Sequence, residues 1–208
     1  MISEGFTLSS VTNMKDFGQR SGNDSSHVCP WWLAYSFDNP LRRWIHRPRK
    51  LLAPYVKEGM RAIDVGCGMG VFSIAMAKLV GESGRVTAID LQEKMLAITR
   101  KRAKRAGIGH RIHTLQGTAG QLEGAAHIDF ALAFWMVHEV PDRLDFFTKI
   151  HNALKPDGML LVAEPAMHVT RKDFDSSLQA AYTAGFLPHA PQTKIRLSLS
   201  KVLVKQQR

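Results

Sequence analysis

Cysteine is scarce in this 208-residue chain: Cys29 and Cys67 are the only two, and they lie far apart. Two thiols give no disulfide framework to argue from, and a lone His27-x-Cys29 pair falls short of the about four ligands of a structural zinc site. Long apolar runs are missing too. The longest, at 71–80 and 158–163, do not approach the ~20 residues of a membrane span. The opening Met1-Ile2-Ser3-Glu4-Gly5 has neither the basic head nor the apolar run of a secretory signal, so the expectation is a soluble, cytoplasmic protein. Acidic residues are outnumbered, 18 against 28 Lys and Arg, for a net charge of +10 with nine His in reserve. That excess favours encounter with anions but decides neither fold nor chemistry. There is no low-complexity tract and no sequence repeat.

What is present reads as one full domain with an extension. The first 30 residues are rich in Ser, Asn, Gly and Thr and end at Pro30, the composition of a mobile arm or a lid. Four aromatics then fall within seven residues, Trp31, Trp32, Tyr35 and Phe37, and Asp38-Asn39-Pro40 supplies a cap and a helix start. Residues 41–56 mix apolar Leu41, Trp44, Ile45, Leu51 and Leu52 with Arg42, Arg43, Arg47, Arg49 and Lys50, and Pro48 splits them into two short helical pieces. We take 1–56 as an N-terminal arm and helical lid, and 57–208 as the main domain.

From Arg61 onward a short apolar strand and an amphipathic helix alternate, the pattern of a mostly parallel sheet covered on both faces. Strands are predicted at 61–65, 85–89, 111–115, 128–134 and 158–163, and helices at 69–80, 91–106 and 142–154, with a short helical turn at 118–122. In 91–106 the apolar set is Leu91, Met95 and Ile98. In 142–154, Phe147, Ile150 and Leu154 form one apolar face, Asp142 is the cap, and Lys155-Pro156-Asp157-Gly158 ends the helix. A helix at 170–184 follows. Residues 194–204, where Ile195, Leu197 and Leu199 alternate with polar neighbours, predict a closing antiparallel strand.

The stretch richest in chemistry is Asp64-Val65-Gly66-Cys67-Gly68-Met69-Gly70, a strand running through three alternate glycines into a helix. Glycine is required where backbone approaches a ligand or takes positive φ, and such a loop puts the ligand outside the carboxyl end of the strand, at the switch point of an open sheet. A dinucleotide fingerprint would read G-x-G-x-x-G, whereas here the third glycine arrives one position early. Asp90, after the second strand and about 20 residues beyond the loop, is where a carboxylate meets ribose hydroxyls. Glycine loop and acid together point to a nucleoside ligand.

On these residues the chain resembles the class I S-adenosylmethionine-dependent methyltransferases, within them the branch of ubiquinone and menaquinone biosynthesis. The resemblance spans about residues 51–163. It is carried by Asp64 to Gly70, Asp90-Leu91 with Met95-Leu96, Gly117-Thr118-Ala119, the run Met136-Val137-His138-Glu139-Val140-Pro141-Asp142, and Leu154 to Gly158. It implies a Rossmann-like α/β fold of about seven strands, the last antiparallel, and methyl transfer from S-adenosylmethionine to a small acceptor. It also implies cofactor contacts: Asp64, Gly66, Cys67, Gly68 and Gly70 at the methionine end, Asp90, Leu91 and Met95 at ribose and adenine, and Gly117, Thr118 and Ala119 at the adenine edge. Trp135, at the end of the fourth strand, completes the set. The family usually carries an acid where this chain has Thr118, which either touches adenine through its hydroxyl or simply caps the next turn.

Methyl transfer needs near-attack geometry and exclusion of water more than it needs a base. If the acceptor is protonated, His138 and Glu139 are the catalytic candidates; the simpler alternative is that they cap the following turn. Glu164 has the same two readings. Cys29, Trp31, Tyr35 and Glu164 are the substrate or lid candidates, with aromatic π faces suited to a sulfonium; Trp32 and Phe37 read better as core. Cys67 is explained by its small size and is assigned no reactivity, and no metal site is expected. The basic run 100–105 reads as a solvated helix face complementing the C-terminal dipole. Together with 42–50 it would otherwise suit phosphate backbones, which makes an RNA methyltransferase the rival enzyme and a non-catalytic cofactor-binding module the rival outside enzymes. The chain lacks the Asn- or Asp-Pro-Pro-aromatic loop and the Pro-Cys or Thr-Cys pair of base methyltransferases, which favours the small acceptor.

Overall fold

The computed structural model describes residues 46–122, 127–190 and 194–206. The N-terminal candidates His27, Cys29, Trp31, Trp32, Tyr35 and Phe37 lie outside the described residues. Pro48 opens helix α1 (Pro48–Leu52), as its locked φ and missing N–H allow. Then follow β1 (Arg61–Val65), α2 (Val71–Leu79), β2 (Arg85–Asp90), α3 (Glu93–Arg105), β3 (Ile112–Gln116), β4 (Ile128–Phe134), α4 (Arg143–Ala153), β5 (Leu154–Pro165), α5 (Arg171–Thr183), β6 (Phe186–Pro188) and β7 (Ser198–Lys205). Three 3₁₀ turns, at Gly109–Arg111, Ala119–Leu122 and Val137–Glu139, sit between them.

The seven strands form one sheet in the order β3-β2-β1-β4-β5-β7-β6. β1 to β5 pair in parallel, and β7 runs antiparallel to both β5 and β6. The order reverses between β1 and β4, so the carboxyl ends of these strands open a crevice there.

Alternate residues of each central strand feed two separate cores. Ile63, Val65, Ala131, Ala133, Leu160 and Val162 face one side, where α4 and α5 contribute Phe146, Phe147, Ile150, Phe174 and Leu178. Ala62, Phe130, Leu132, Leu161 and Ala163 face the other, under Leu52 and Tyr55 and the α2 residues Phe72 and Met76. Tyr55 stacks on Phe130 at 6.2 Å between ring centroids. This is the two-faced burial that a parallel sheet demands.

Several boundaries differ from the sequence expectation for local reasons. α2 begins at Val71 rather than residue 69, because Gly70 takes the left-handed conformation at its N-cap. In α3 the buried face is Met95, Leu96, Thr99 and Ala103, while Leu91 precedes the helix and is half exposed. Asp142 caps α4 as expected, accepting the Asp145 N–H at 2.9 Å, but β5 starts at once at Leu154 and passes through an irregularity opposite 128–130 before regular pairing resumes at Met159. Asp157, at φ 61°, makes that kink. The last strand starts at Ser198 rather than residue 194, since Leu197 at φ 59° belongs to a turn closed by Ser198 N–H on the Ile195 carbonyl.

Phe130 is fully buried in the middle of the central strand. Truncation to alanine is expected to cost about 3–5 kcal/mol, read as a fall in the urea midpoint at unchanged slope.

Candidate functional site

Above the carboxyl ends of β1, β2 and β4 lies a cavity of about 800 Å³, within the roughly 300–1,000 Å³ typical of small-ligand sites. Its floor is the glycine loop. Gly66, Gly68 and Gly70 all have positive φ, at 68°, 52° and 77°, but they do different work. A Cβ on Gly66 would meet the Met136 side chain at 2.8 Å, and one on Gly70 would strike Thr99 at 2.5 Å. A Cβ on Gly68 would meet nothing within 4 Å, because that position opens into the cavity. Gly68 thus forms the cradle. Gly70 is not among the residues that line the cavity, and it packs closely against Thr99 of α3.

Side chains from β1, β2, α2 and α3 hold this path. Asp90 accepts the Gly68 N–H on Oδ2 at 2.8 Å and the Gln92 N–H on Oδ1 at 2.9 Å. Burial pushes its carboxyl above the usual value, against the two amides that favour the charged form. Thr99 donates its hydroxyl to the Gly68 carbonyl at 3.1 Å, and Arg102 donates to the Met69 carbonyl at 3.0 Å. Buried Asp64 accepts from Ser73 Oγ at 2.5 Å. Ser73, Thr99 and Arg102 were not singled out from the sequence. Ser73 is the lone small polar residue on apolar α2, and Thr99 falls at helical spacing between Met95 and Ala103, so both carried a signal. Arg102 was hidden in the basic run 100–105, whose reading as a wholly solvated face is corrected at this residue.

Cys67 also lies in the loop. Its thiol is buried, and burial first, then the nearby Asp64 and Asp90, push it far above the usual thiol range. It stays protonated and inert.

Leu91, Met95, Gly117, Thr118, Ala119 and Trp135 line the cavity too. Met95 is buried and Thr118 exposed at the start of the 3₁₀ turn. The Gly117 N–H bonds to the Asp90 carbonyl at 3.0 Å, joining the ends of β2 and β3. At the end of β4 Trp135 sits at φ 61°, a conformation that a bulky residue holds only when its surroundings over-determine it. Its N–H bonds to the Ala163 carbonyl at 2.7 Å and its indole donates to Ser198 Oγ at 2.9 Å.

That turn carries the chain into Val137–Glu139. Glu164, on β5, is 1% exposed. Its Oε1 accepts the Val137 N–H at 2.8 Å, and its Oε2 bonds to His138 Nδ1 in a short contact. Glu164 therefore ties down both the backbone of the turn and the His138 ring. His138 and Glu139 both line the cavity, with His138 Nε2 at 3.9 Å from Glu139; Glu164 lies behind His138 and not on the wall. The bond to Glu164 raises the His138 pKa, against desolvation and the Arg143 charge, with smaller help from the charges of Glu164 and Glu139.

A family model for the methyltransferase domain matches residues 56–196. The demethylmenaquinone methyltransferase of Bacillus velezensis is 32% identical over 124 residues, 59% of this chain and 52% of that protein. That of Geobacillus kaustophilus is 33% identical over 110 residues, 52% of this chain and 47% of that protein. The chain thus spans about half the length of the curated relatives it matches. Among solved structures, a SAM dependent methyltransferase from Aquifex aeolicus shares the fold with a TM-score of 0.72 at 21% identity, over 85% of this chain and 99% of that one. Among the described residues, no helix is long and apolar enough to cross a membrane.

Two outcomes follow from the geometry. Gly68→Ala should cost about 1–2 kcal/mol, the strain of a left-handed non-glycine residue, and Gly70→Ala clearly more because of Thr99; parallel urea titrations measure both. The raised His138 pKa stabilises the fold fully below the unfolded value near 6.5 and loses that contribution as pH rises through the folded value. The melting-temperature gap between wild type and His138→Asn should therefore be wider at about pH 6 than at about pH 9.

Proposed function

We propose that this chain, which belongs to the methyltransferase domain family, transfers a methyl group from S-adenosylmethionine to a small-molecule acceptor by in-line displacement. The observation that carries the reading is the Gly68 cradle pinned by Asp90 at the sheet's switch point. The residues fit the cofactor. Gly68 leaves open space where any side chain would stand in the cavity, and the first turn of α2 presents N–H groups toward an anionic group such as a carboxylate. Each Asp90 oxygen already takes one backbone N–H, and a carboxylate oxygen has a further acceptor site, so ribose hydroxyls suit it. Leu91, Met95 and Ala119 supply apolar walls for a purine beside Thr118.

When bound, the sulfonium supplies an electrophilic methyl group. The chain's own part is to orient that group and keep water out. Phe134, Trp135 and Met136 wall the cavity on the side of β4, and aromatic faces attract a cationic sulfur while shedding water. His138 reaches the same space from the following turn and is the candidate base, with Glu139 beside it. Leu52, Tyr55 and Val56 belong to the core, so within 1–56 our candidate cover for the cavity is the part before residue 46, to which the candidates Cys29, Trp31 and Tyr35 belong. The relatives' names, demethylmenaquinone methyltransferases, support a small organic acceptor over a nucleic acid.

Calorimetric titration with S-adenosylhomocysteine tests the reading. Wild type should bind, and Asp90→Ala should bind at least about tenfold more weakly, a loss of about 1.4 kcal/mol. A folded wild-type chain that fails to bind at millimolar ligand would refute it.

A further inference from the structure

We propose that Glu164 is a positioning residue that holds His138 with its proton on Nδ1, so that Nε2 takes a proton from a hydroxyl group of the acceptor. The proposal rests on the methyl-transfer reading above and narrows its acceptor to one whose attacking oxygen is protonated when it binds. Thiolates, tertiary amines and other lone-pair nucleophiles need no such device.

Three observations carry it. Glu164 is 1% exposed while the side chain of His138 keeps 30% exposure on the cavity wall, so the pair is polarised, with carboxylate inside and imidazole outside. Both oxygens of Glu164 are committed, one to the Val137 N–H and one to Nδ1. One side chain therefore fixes both the backbone of the turn and the ring it carries. The turn is reached through the left-handed Trp135, whose strain is concentrated at the residue that aims it. With Nδ1 facing a carboxylate that is a pure acceptor, the ring proton belongs there and Nε2 is left as the basic nitrogen.

The groups facing His138 are Glu164 from β5, Glu139 from its own turn and Arg143 from α4. Asp142, Asp145, Lys149 and His168 line the same cavity. Glu164 dominates, so the imidazolium formed by proton uptake is stabilised where it arises. In the step, the acceptor's O–H proton passes to Nε2 and an oxygen lone pair forms the new oxygen–methyl bond. The methyl–sulfur bond breaks with its electron pair retained by sulfur, which leaves as a neutral thioether. His138 then returns its proton to water. No oxidant or metal enters the balance.

The test uses the full chain and two readouts. Nitrogen-15 NMR of the histidine rings, without ligand, should show the Nδ1–H form for His138 with a midpoint above the ordinary value; Glu164→Gln should lower the midpoint and mix the tautomers. Glu164→Asp should restore part of the shift. The second readout is S-adenosylhomocysteine release with ring-substituted phenols of graded acidity. His138→Gln should lower kcat about 10²–10⁴-fold for the least acidic phenol and progressively less for phenols already ionised, with the KM for S-adenosylmethionine unchanged. Because its side chain is partly exposed, His138→Gln keeps the test decisive if Glu164→Gln fails to fold. An unmoved His138 midpoint in Glu164→Gln, an equal loss across the phenol series, or no methylation of any phenol by a chain that binds S-adenosylhomocysteine would each overturn the proposal. Absence of S-adenosylhomocysteine binding would instead bring down the methyl-transfer reading, while the NMR still reports on the pair itself.

Discussion

The Asp90 carboxylate, gripping the Gly68 and Gln92 amides at the end of β2, is the contact on which the site depends. A loop of alternate left-handed glycines has little to define it by itself, since glycine loses more conformational freedom on folding than any other residue. A charged acceptor bonded to two backbone donors stiffens it, because hydrogen bonds to ionised groups are stronger than neutral ones. Thr99 and Arg102 then take the Gly68 and Met69 carbonyls from the α3 side. Once the loop is set, α2 starts at a defined place, and the crevice between β1 and β4 keeps its shape.

A second carboxylate, fully buried where Asp90 is half-buried, organises the opposite wall. Glu164 does for the β4 turn what Asp90 does for the glycine loop: each spends an oxygen on backbone N–H and so converts an irregular segment into a fixed one. The difference lies in the remaining oxygen. In Asp90 it goes to another amide, which makes the residue chiefly architectural until a ligand arrives. In Glu164 it goes to an ionisable ring on the cavity wall. A net charge of +10 therefore says little about the site, whose loop and turn are fixed by the carboxylates of Asp90 and Glu164 rather than by the exposed cations of α3.

Much of this was legible in the sequence because it is local. The alternation of short apolar strands and amphipathic helices places β1 to β5, and Asp64 to Gly70 with Asp90 places the crevice. The misses have physical causes. The sequence pattern suggests Leu91, Met95 and Ile98 as the apolar set of α3, but Leu91 precedes the helix, and the buried stripe turns toward Thr99 and Ala103. Arg102 was lost in a run of cations that composition alone cannot divide into inward and outward members. The pairing of Glu164 with His138 joins residues 26 apart across adjacent strand ends, a tertiary fact that no periodicity encodes. Gly70 shares its spacing and positive φ with Gly68, and only the space around each one shows that Gly68 opens into the cavity while Gly70 packs against Thr99.

The central claim is that a nucleoside ligand sits in the crevice above the glycine loop, and it is tested most directly by amide chemical shifts in the full chain titrated with S-adenosylhomocysteine. The account predicts that the largest changes fall on Gly66, Gly68, Asp90, Leu91 and Ala119, with the basic groove lined by Arg49 and Lys78 unmoved. Largest shifts in that groove, with Gly68 unchanged at saturation, would contradict it.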